Sequence, residues 1–361
     1  MTRTNYYPQL DSVRGLSFLA IFFFHAAHPE FGESVTGKLV GFYYEQLPLA
    51  IDVFFILSSF LLTWLGIKEY AKQQKVSLGK FFQRRILRIW PLYFVFLTLC
   101  FLLFPALAAK AGHQLTLPDP VYYYFFAANF YEQEHVFFLQ ILWTISVEEQ
   151  FYIFLGLMMR FFFRYLTGIF IVLVLCSLAF TIYAKENDLP FYFHTLTYCV
   201  DFAMGGLAAL LLSKRSSLTA WTAKLSGSKA AIFYCWPLIQ LTAFFLLNEA
   251  IHHYLILLLN RYLFIVYICL LLTEQLSNSN RIRFYERNRF LILTGRISFG
   301  LYCFHGLSIT AFNMINGRFS SPLSAWLLVP LIFGFNFGLA FLSYRYFESP
   351  FLRLKDRLRV V

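Results

Sequence analysis

The chain has 361 residues, of which 59% are hydrophobic and only 14% are charged, and its formal net charge is +11. Soluble domains carry about 25% charged residues, so this composition excludes an ordinary soluble protein. It predicts an all-α integral membrane protein with several spans. The 6 cysteines lie singly inside apolar stretches with no CxxC pair, so we expect them to form neither disulfides nor a metal site.

Windows of about 20 apolar residues predict ten transmembrane helices. They centre on 14–30, 47–66, 90–109, 139–159, 168–184, 195–213, 230–248, 254–273, 290–312 and 325–346. With a cytoplasmic N-terminus, the outer loops hold only Lys38, Lys110, Lys185 and Arg318 of the 30 Lys and Arg residues. The positive-inside rule therefore favours ten spans with both termini in the cytoplasm. This topology explains the basic charge, so we expect no nucleic-acid partner. We also expect one transmembrane domain over 1–361, without a fused soluble domain.

The first span carries two ionisable residues that are costly to place in a bilayer, Arg14 and His25. Because they are 11 residues apart, they share one helix face and lie about 16 Å apart along the axis. With Arg14 at the inner boundary, His25 lies near the middle of the ~30 Å hydrocarbon core. A functional site explains this pattern. Contact of Arg14 with headgroups and an interhelical hydrogen bond from His25 explain it equally well. His28 follows three residues later, but two histidines alone do not predict a metal site.

The second span places Asp52 in its outer half and Ser58 and Ser59 deeper. A buried Asp needs a partner, and we expect Arg14 or His25 on the first span to supply it. A structural ion pair and a catalytic pair both fit this arrangement.

Three arginines precede the third span: Arg84, Arg85 and Arg88. Their i, i+3 and i, i+4 spacings place the guanidiniums on adjacent faces of one helix. Three arginines with no lysine among them suit the planar, bidentate capture of phosphates. Ordinary positive-inside anchoring is the alternative, and the cluster alone favours it.

Later spans carry further polar residues. Glu148 and Glu149 lie within the fourth span beside Trp143, and at least one of these adjacent acids should face a polar cavity. In the ninth span, Tyr302 and His305 share a face. The sequence contains no HExxH motif, no Gly-rich phosphate loop and no G-x-S-x-G motif, so it predicts no metal site of a known pattern.

Six segments, taken together and in this order, resemble the acyltransferase-3 family of bacterial membrane-bound acyltransferases. They are Leu10, Asp11, Arg14, Gly15 and His25; Ile51–Leu61; Arg84–Tyr93; Trp143–Tyr152; Ser298–His305; and Glu348–Leu354. The resemblance spans nearly the whole chain. The sequence departs from the family pattern at Ser59, Thr144 and Phe299, where Gly, Ser and Tyr are usual. We expect no soluble hydrolase-like domain of the kind that some relatives carry, and therefore expect the membrane domain to complete transfer alone or with a separate partner.

The resemblance implies an O-acyltransferase of the bacterial cytoplasmic (inner) membrane that uses acyl-CoA, commonly acetyl-CoA. Its acceptor would be a hydroxyl of an extracytoplasmic or membrane-associated glycan, such as O-antigen, capsule or exopolysaccharide, or of a small natural product. The sequence leaves the acceptor open, and it does not distinguish acetyl from succinyl. Neutral His is the usual base for activating a hydroxyl near pH 7. Other expected partners are the lipid bilayer and either a second copy of the chain or separate glycan-assembly proteins. The expected residues are His25, Arg14, Asp52 and Glu148 for catalysis; Arg84, Arg85, Arg88, Ser58 and Tyr93 for the donor; and Trp143, Tyr302 and His305 for the acceptor.

Two other classes of protein compete with this interpretation. A transporter or flippase of a glycan precursor would also line a path with polar residues, but such folds often contain inverted repeats, and the two halves show no convincing repeat. A sensory or scaffolding membrane protein would need neither the spacing of Arg14 and His25 nor the arginine cluster.

Overall fold

The computed structural model describes residues 6–27, 29–110, 115–131, 136–251, 253–317 and 325–358. Over these residues the regular elements are all helical, with no strand, which confirms the predicted all-α class. The α-helices are α1 Pro8–Ala26, α2 Val35–Glu45, α3 Ala50–Gln73, α4 Leu78–Thr98, α5 Phe104–Lys110, α6 Pro120–Tyr124, α7 Phe137–Gln140, α8 Trp143–Phe161, α9 Leu166–Glu186, α10 Thr195–Ser213, α11 Ser217–Thr222, α12 Gly227–Ile251, α13 Tyr254–Ser277, α14 Phe284–Arg287, α15 Arg289–Arg296, α16 Ser298–Asn316, α17 Ala325–Leu342 and α18 Ser349–Arg357.

Shorter helical segments join some of these helices. The 3₁₀ turns are Leu47–Leu49, Ala128–Phe130 and Phe163–Tyr165, and the π-helical segments are Leu99–Leu103 and Ser343–Glu348. The first π segment continues α4 into α5, and the second continues α17 into α18. The predicted long connection 110–138 includes α6 and the start of α7, while residues 111–114 and 132–135 lie outside the described chain.

Eight helical stretches of the described chain are long and apolar enough to cross a membrane. They are Val35–Gln73, Leu78–Lys110, Phe137–Phe161, Phe163–Glu186, Thr195–Ser213, Gly227–Ile251, Tyr254–Ser277 and Leu327–Arg357. The helix α1 is less apolar than these, because Gln9, Asp11 and Arg14 lie in its first two turns. The chain is thus a multi-pass membrane protein, whereas the predicted number of ten spans is not confirmed.

The predicted span 290–312 contains a break in its helix, and it is not confirmed as a span. The helices α15 and α16 meet at Ile297, where the chain bends by 78°. They add a ninth span only if the bent pair crosses the membrane as one unit. Close packing holds α15 on the N-terminal part of α1. A Cβ atom at Gly295 would overlap the backbone oxygen of Asp11, and one at Gly15 would overlap the backbone oxygen of Leu291. Only glycine permits this approach of the two backbones.

The chain forms two compact units. Unit 1 comprises Met1–Ile67 and Asp201–Gly295, and unit 2 comprises Lys68–Val200 and Arg296–Val361. The three boundaries fall inside α3, α10 and α15. The expectation of a single membrane domain stays a prediction.

Apolar and polar contacts both contribute to unit 1. Phe42 on α2 packs with Phe244 and Phe245 on α12 in a buried aromatic cluster. At the other end of the unit, the Ser12 hydroxyl donates to the backbone oxygen of Tyr285, 2.5 Å away, and so joins α1 to α14. The unit therefore holds α1 in a defined position against its neighbours.

Unit 2 is organised around α4 and α8. Gly156 on α8 lies against the ring of Phe81 on α4, where a Cβ atom would be 2.9 Å from that ring. A closed set of hydrogen bonds joins α8 to its flanking connections: the Gln150 amide donates to Asn129 (2.8 Å), Asn129 donates to Thr195 (3.1 Å), and Thr195 donates to Gln150 (2.5 Å). These contacts fix the face of α8 that carries the predicted acidic residues.

Candidate active site

In unit 1, α1 carries both predicted residues of the first span on one uninterrupted helix. Arg14 is buried and forms an i, i+3 ion pair with Asp11, with 3.5 Å between nitrogen and oxygen. His25 lies half-buried in the last turn. His28 lies outside the described residues.

A tyrosine that the sequence analysis missed holds the turn that contains His25. The hydroxyl of Tyr44 on α2 lies 2.7 Å from the backbone oxygen of Phe24 and also contacts the backbone oxygen of Ala27. Its ring packs against that of Phe24, with 5.3 Å between centroids. Because these oxygens flank His25 in the chain, Tyr44 fixes the backbone from which the imidazole projects.

Asp52 has a different partner from the one we predicted. Its carboxylate accepts two hydrogen bonds from Arg261 on α13, at 3.0 and 3.2 Å, and Arg261 also donates to Asp201 on α10 at 2.8 Å. The expected pairing of Asp52 with Arg14 or His25 is therefore wrong. A fork-shaped guanidinium can bind two carboxylates at once, and this one joins α3, α10 and α13 inside unit 1. One oxygen of Asp201, Oδ1, is buried without a described partner.

A charged residue inside an apolar span is itself a signal of a site, and Arg261 in "LNRYLF" had that signal. Ser58, the predicted donor-binding residue, lies half-buried on α3 in the same unit. The hydroxyl oxygen of its neighbour Ser59 is buried and has no hydrogen-bond partner among the described residues.

In unit 2, the three predicted phosphate-binding arginines have different surroundings. Arg84 is held by the protein: it forms an ion pair with the buried Glu69 at 3.4 Å and donates to the backbone oxygen of Leu358 at 3.4 Å. The other carboxylate oxygen of Glu69 accepts from the backbone nitrogen of Ser77 at 2.8 Å. Arg84 therefore joins α3, α4 and the C-terminal end of α18.

Arg85 and Arg88 are not occupied in this way. Among the described residues, neither guanidinium has a hydrogen bond or an ion pair. Arg85 lies over the ring of Tyr152, 5.8 Å from its centroid, and its Nε is buried. Arg88 is close enough to Glu348 to interact electrostatically. Two half-buried guanidiniums without a bound carboxylate can accept an anionic ligand.

The two adjacent acids of α8 differ in burial. Glu149 is 7% exposed, and its Oε2 accepts a hydrogen bond from the indole of Trp90 at 3.2 Å. Its Oε1 is buried and has no partner among the described residues. Glu148, the acid that we predicted to be catalytic, is half-buried, and its role stays a prediction.

Two aromatic residues of the predicted site, Tyr93 and Trp143, are buried. The hydroxyl of Tyr93 donates to the backbone oxygen of Tyr123 at 2.8 Å, and its ring stacks on Phe126 with 4.8 Å between centroids. Trp143 is 6% exposed and packs edge-on against Phe193, with centroids 5.2 Å apart. Both side chains thus help to hold the connections that flank α8.

Tyr302 and His305 lie on α16, as predicted. The hydroxyl of Tyr302 donates to the backbone oxygen of Ile141 and accepts from Thr144, both at 2.7 Å. Nδ1 of His305 lies 2.7 Å from the backbone oxygen of Tyr302. Because a carbonyl only accepts, this contact favours the tautomer with hydrogen on Nδ1, and Nε2 then carries a lone pair.

The predicted residues therefore fall into two groups. Unit 1 contains Arg14, His25, Asp52 and Ser58, and unit 2 contains Arg84, Arg85, Arg88, Tyr93, Trp143, Glu148, Tyr302 and His305. Within the described ranges, no group of three or more His, Cys, Asp or Glu side chains could hold a metal ion.

Comparisons with known proteins connect this arrangement to a family. A family model described as "Acyltransferase domain" matches residues 7–345. The chain is 25% identical over 381 residues to "Putative O-acetyltransferase SACOL0978" of Staphylococcus aureus (strain COL). It is 23% identical over 374 residues to "O-acetyltransferase OatA" of Staphylococcus aureus (strain NCTC 8325 / PS 47). Each alignment covers 97% of this chain and 58% of the relative, so the chain spans less than two thirds of these proteins. No solved structure matches. Because the family model covers most of the chain, this protein belongs to the acyltransferase-3 family.

Proposed function

We propose that this protein is a membrane O-acyltransferase that moves an acyl group, in the first instance acetyl, from cytoplasmic acyl-CoA to a glycan hydroxyl. The acceptor would be extracytoplasmic or membrane-associated. Family membership and the names of the relatives support acyl transfer to oxygen. One observation carries the choice of acyl donor. Arg85 and Arg88 lie on a stretch that is long and apolar enough to cross the membrane, and neither has a hydrogen bond or an ion pair with the described residues. Such a pair suits the phosphates of CoA.

In the proposed reaction, the acceptor hydroxyl oxygen attacks the carbonyl carbon of the thioester. The C–O bond forms, the C–S bond breaks, and the hydroxyl proton passes to His25 as general base. The imidazolium then returns the proton to the thiolate, and CoA leaves as the thiol. A covalent acyl-histidine is the less favoured variant. Arg14, which pairs with Asp11, is proposed to orient this part of the site. The other proposed contacts are Ser58 and Tyr93 to the donor and Trp143, Tyr302 and His305 to the acceptor.

Binding of CoA by the purified protein in nanodiscs tests the donor assignment. Replacing Arg85 or Arg88 by Ala should weaken binding at least about tenfold, because each loses charge-assisted hydrogen bonds. Lys should restore part of the affinity, since it keeps the charge without the fork. The exposed Arg353 on α18 is a matched control. Equal binding of CoA and dephospho-CoA by the wild type and both variants would contradict phosphate capture.

Release of CoA thiol distinguishes this proposal from a transporter or flippase. The purified protein should convert acetyl-CoA to CoA when an acyl acceptor is present, whereas transport of a glycan precursor requires no acetyl-CoA. A protein that moves a glycan across vesicles without consuming acetyl-CoA would favour the transporter.

We further propose ten spans in the bacterial inner membrane, with both termini in the cytoplasm. The distribution of Lys and Arg along the sequence supports this topology. Reporter fusions after residues 33, 115 and 188 should be active outside, and fusions after 75, 220, 285 and 361 inside. An outside signal at 361 would contradict an even number of spans.

A further inference from the structure

Two opposite charges lie on neighbouring helices of unit 2 without pairing. Arg85 projects from α4 and Glu149 from α8, and these helices are joined by the hydrogen bond from Trp90 to Glu149. No ion pair connects Arg85 with Glu149, although they are close enough to interact electrostatically. The nitrogen Nε of Arg85 and the oxygen Oε1 of Glu149 are both buried without a partner among the described residues. A ligand that carries both a hydrogen-bond acceptor and a hydrogen-bond donor could satisfy these two atoms.

The unpartnered oxygen of Glu149 is costly for the fold. A buried acceptor that loses its hydrogen bonds to water destabilises a protein unless another donor replaces them, and a carboxylate does so more than a neutral group. Trp90 satisfies Oε2 and holds the carboxylate in one orientation, so Oε1 is directed by a fixed contact. An ionisable residue in a membrane-spanning helix is a functional candidate by default. Oε1 is therefore available to accept a hydrogen bond from a group on a ligand.

The position along α4 of Trp90, the partner of Glu149, indicates which part of a ligand Glu149 meets. Trp90, its partner, follows Arg88 by two residues and Arg85 by five, which is about 3 Å and 7–8 Å along the helix axis. If the phosphates of the acyl donor bind Arg85 and Arg88, the part of the same molecule that lies beside Trp90 is several ångströms from those phosphates. In acyl-CoA that group is the pantetheine arm, which contains two amides, each with one N–H.

We propose that Oε1 of Glu149 accepts a hydrogen bond from an amide N–H of the pantetheine arm. This inference rests on the proposed function, because it needs acyl-CoA as the donor. Glu149 is then a donor-binding residue that distinguishes the pantetheine arm from the nucleotide half of CoA. An acceptor hydroxyl could also donate to Oε1, but the neighbouring arginines favour a group of the same ligand that carries the phosphates.

Binding of two ligands separates the contribution of the pantetheine arm from that of the phosphates. We would measure binding of CoA and of adenosine 3′,5′-bisphosphate, which has phosphates but no pantetheine arm, to the purified protein in nanodiscs. Glu149→Leu should weaken CoA binding about 10- to 100-fold and leave binding of the bisphosphate unchanged. Glu149→Gln should lose less, because its single amide oxygen can serve either Trp90 or the arm. Glu249→Leu, which removes an exposed carboxylate on α12, is the control and should bind both ligands as the wild type does.

The outcomes are distinct. Unchanged bisphosphate binding shows that Glu149→Leu is folded, so a loss confined to CoA supports the contact with the arm. If Glu149→Leu binds CoA normally but needs more acceptor for half-maximal rate, Glu149 serves the acceptor and this inference is overturned. If the wild type binds neither ligand, the proposed function itself fails.

Discussion

Replacing Arg261 should destabilise the protein strongly, because it is the cation shared by Asp52 and Asp201. The side chains of the two acids are 4% and 0% exposed, and that of Arg261 is 15% exposed. Removing one partner of a buried ion pair costs about 3–5 kcal/mol, since the remaining charge loses both water and its partner. Arg261→Ala leaves two buried carboxylates together, so we expect the upper part of this range. At roughly 2 °C per kcal/mol, the upper part of this range corresponds to a fall of roughly 8–10 °C in the midpoint of thermal unfolding.

Buried thiols provide the assay. Cys100, Cys199, Cys269 and Cys303 are buried, so a thiol-reactive fluorescent dye reports their exposure as the protein unfolds in detergent. Cys176 and Cys235 are exposed and contribute a constant background. The unfolding curve of each variant can therefore be compared directly with that of the wild type.

Two further variants show whether charge or packing causes the loss. Arg261→Leu combined with Asp52→Asn and Asp201→Asn removes all three charges and should recover most of the stability, because replacing a whole buried ionic group is often nearly neutral. Arg353→Ala, at an exposed position, should change the midpoint by less than about 1 °C. A midpoint for Arg261→Ala within 1 °C of the wild type would refute this reasoning. An equally large loss in the triple variant would assign the effect to packing.

Three other predictions test single contacts. Tyr44→Phe should lower kcat about 3- to 10-fold and leave CoA affinity unchanged, because the lost hydroxyl holds the turn that carries His25. Equal losses in kcat and in CoA affinity would contradict this role of Tyr44. Arg84→Ala should lower the midpoint of thermal unfolding and change CoA affinity little, whereas Arg88→Ala should weaken CoA binding and change the midpoint little. Identical behaviour of the two variants would contradict a structural role for Arg84 and a ligand-binding role for Arg88. Burial lowers the pKa of His194 below its ordinary 6.5, so the unfolded state binds a proton first and stability should fall as the pH drops below 6.5. His194→Gln should show a smaller fall between pH 7.5 and pH 5 in thermal scans; an unchanged fall would place the acid sensitivity elsewhere.

The helical class and the position of most long helices could be predicted from the sequence. About 20 apolar residues in a row have few alternatives to a membrane-spanning helix, so local composition is sufficient. The break at Ile297 was not predictable in this way, because the apolar residues on its two sides, Phe290–Leu293 and Leu301–Phe304, fall within one apolar window despite Arg296 between them. The close approach of Gly295 to Asp11 depends on a contact between residues far apart in the chain.

The pairing of charges could not be predicted, because it depends on how helices pack. Asp52 was correctly expected to need a partner, but the partner is Arg261, 209 residues away in the chain. Adjacent positions on a helix differ by about 100° in direction, so the sequence alone could not show that Glu149 and not Glu148 is the more buried acid. Arg84 differs from Arg88 because α3 extends to Gln73 and brings Glu69 to it, and because the backbone oxygen of Leu358 at the end of α18 also accepts from it.

The most direct test of acyl transfer with His25 as base is ester-linked acyl content of cell-envelope glycans, measured by mass spectrometry. A deletion strain would be complemented with the wild type or with His25→Ala, and both proteins would be checked for folding and CoA binding. We expect the deletion to lose a set of ester-linked acetyl groups, the wild type to restore them, and His25→Ala to restore none while still binding CoA. A general base typically contributes about 10²–10⁴ in rate, so its loss should be visible. Restoration of the acetyl groups by His25→Ala would contradict His25 as base, and glycans identical in the parent and deletion strains would contradict acyl transfer to them.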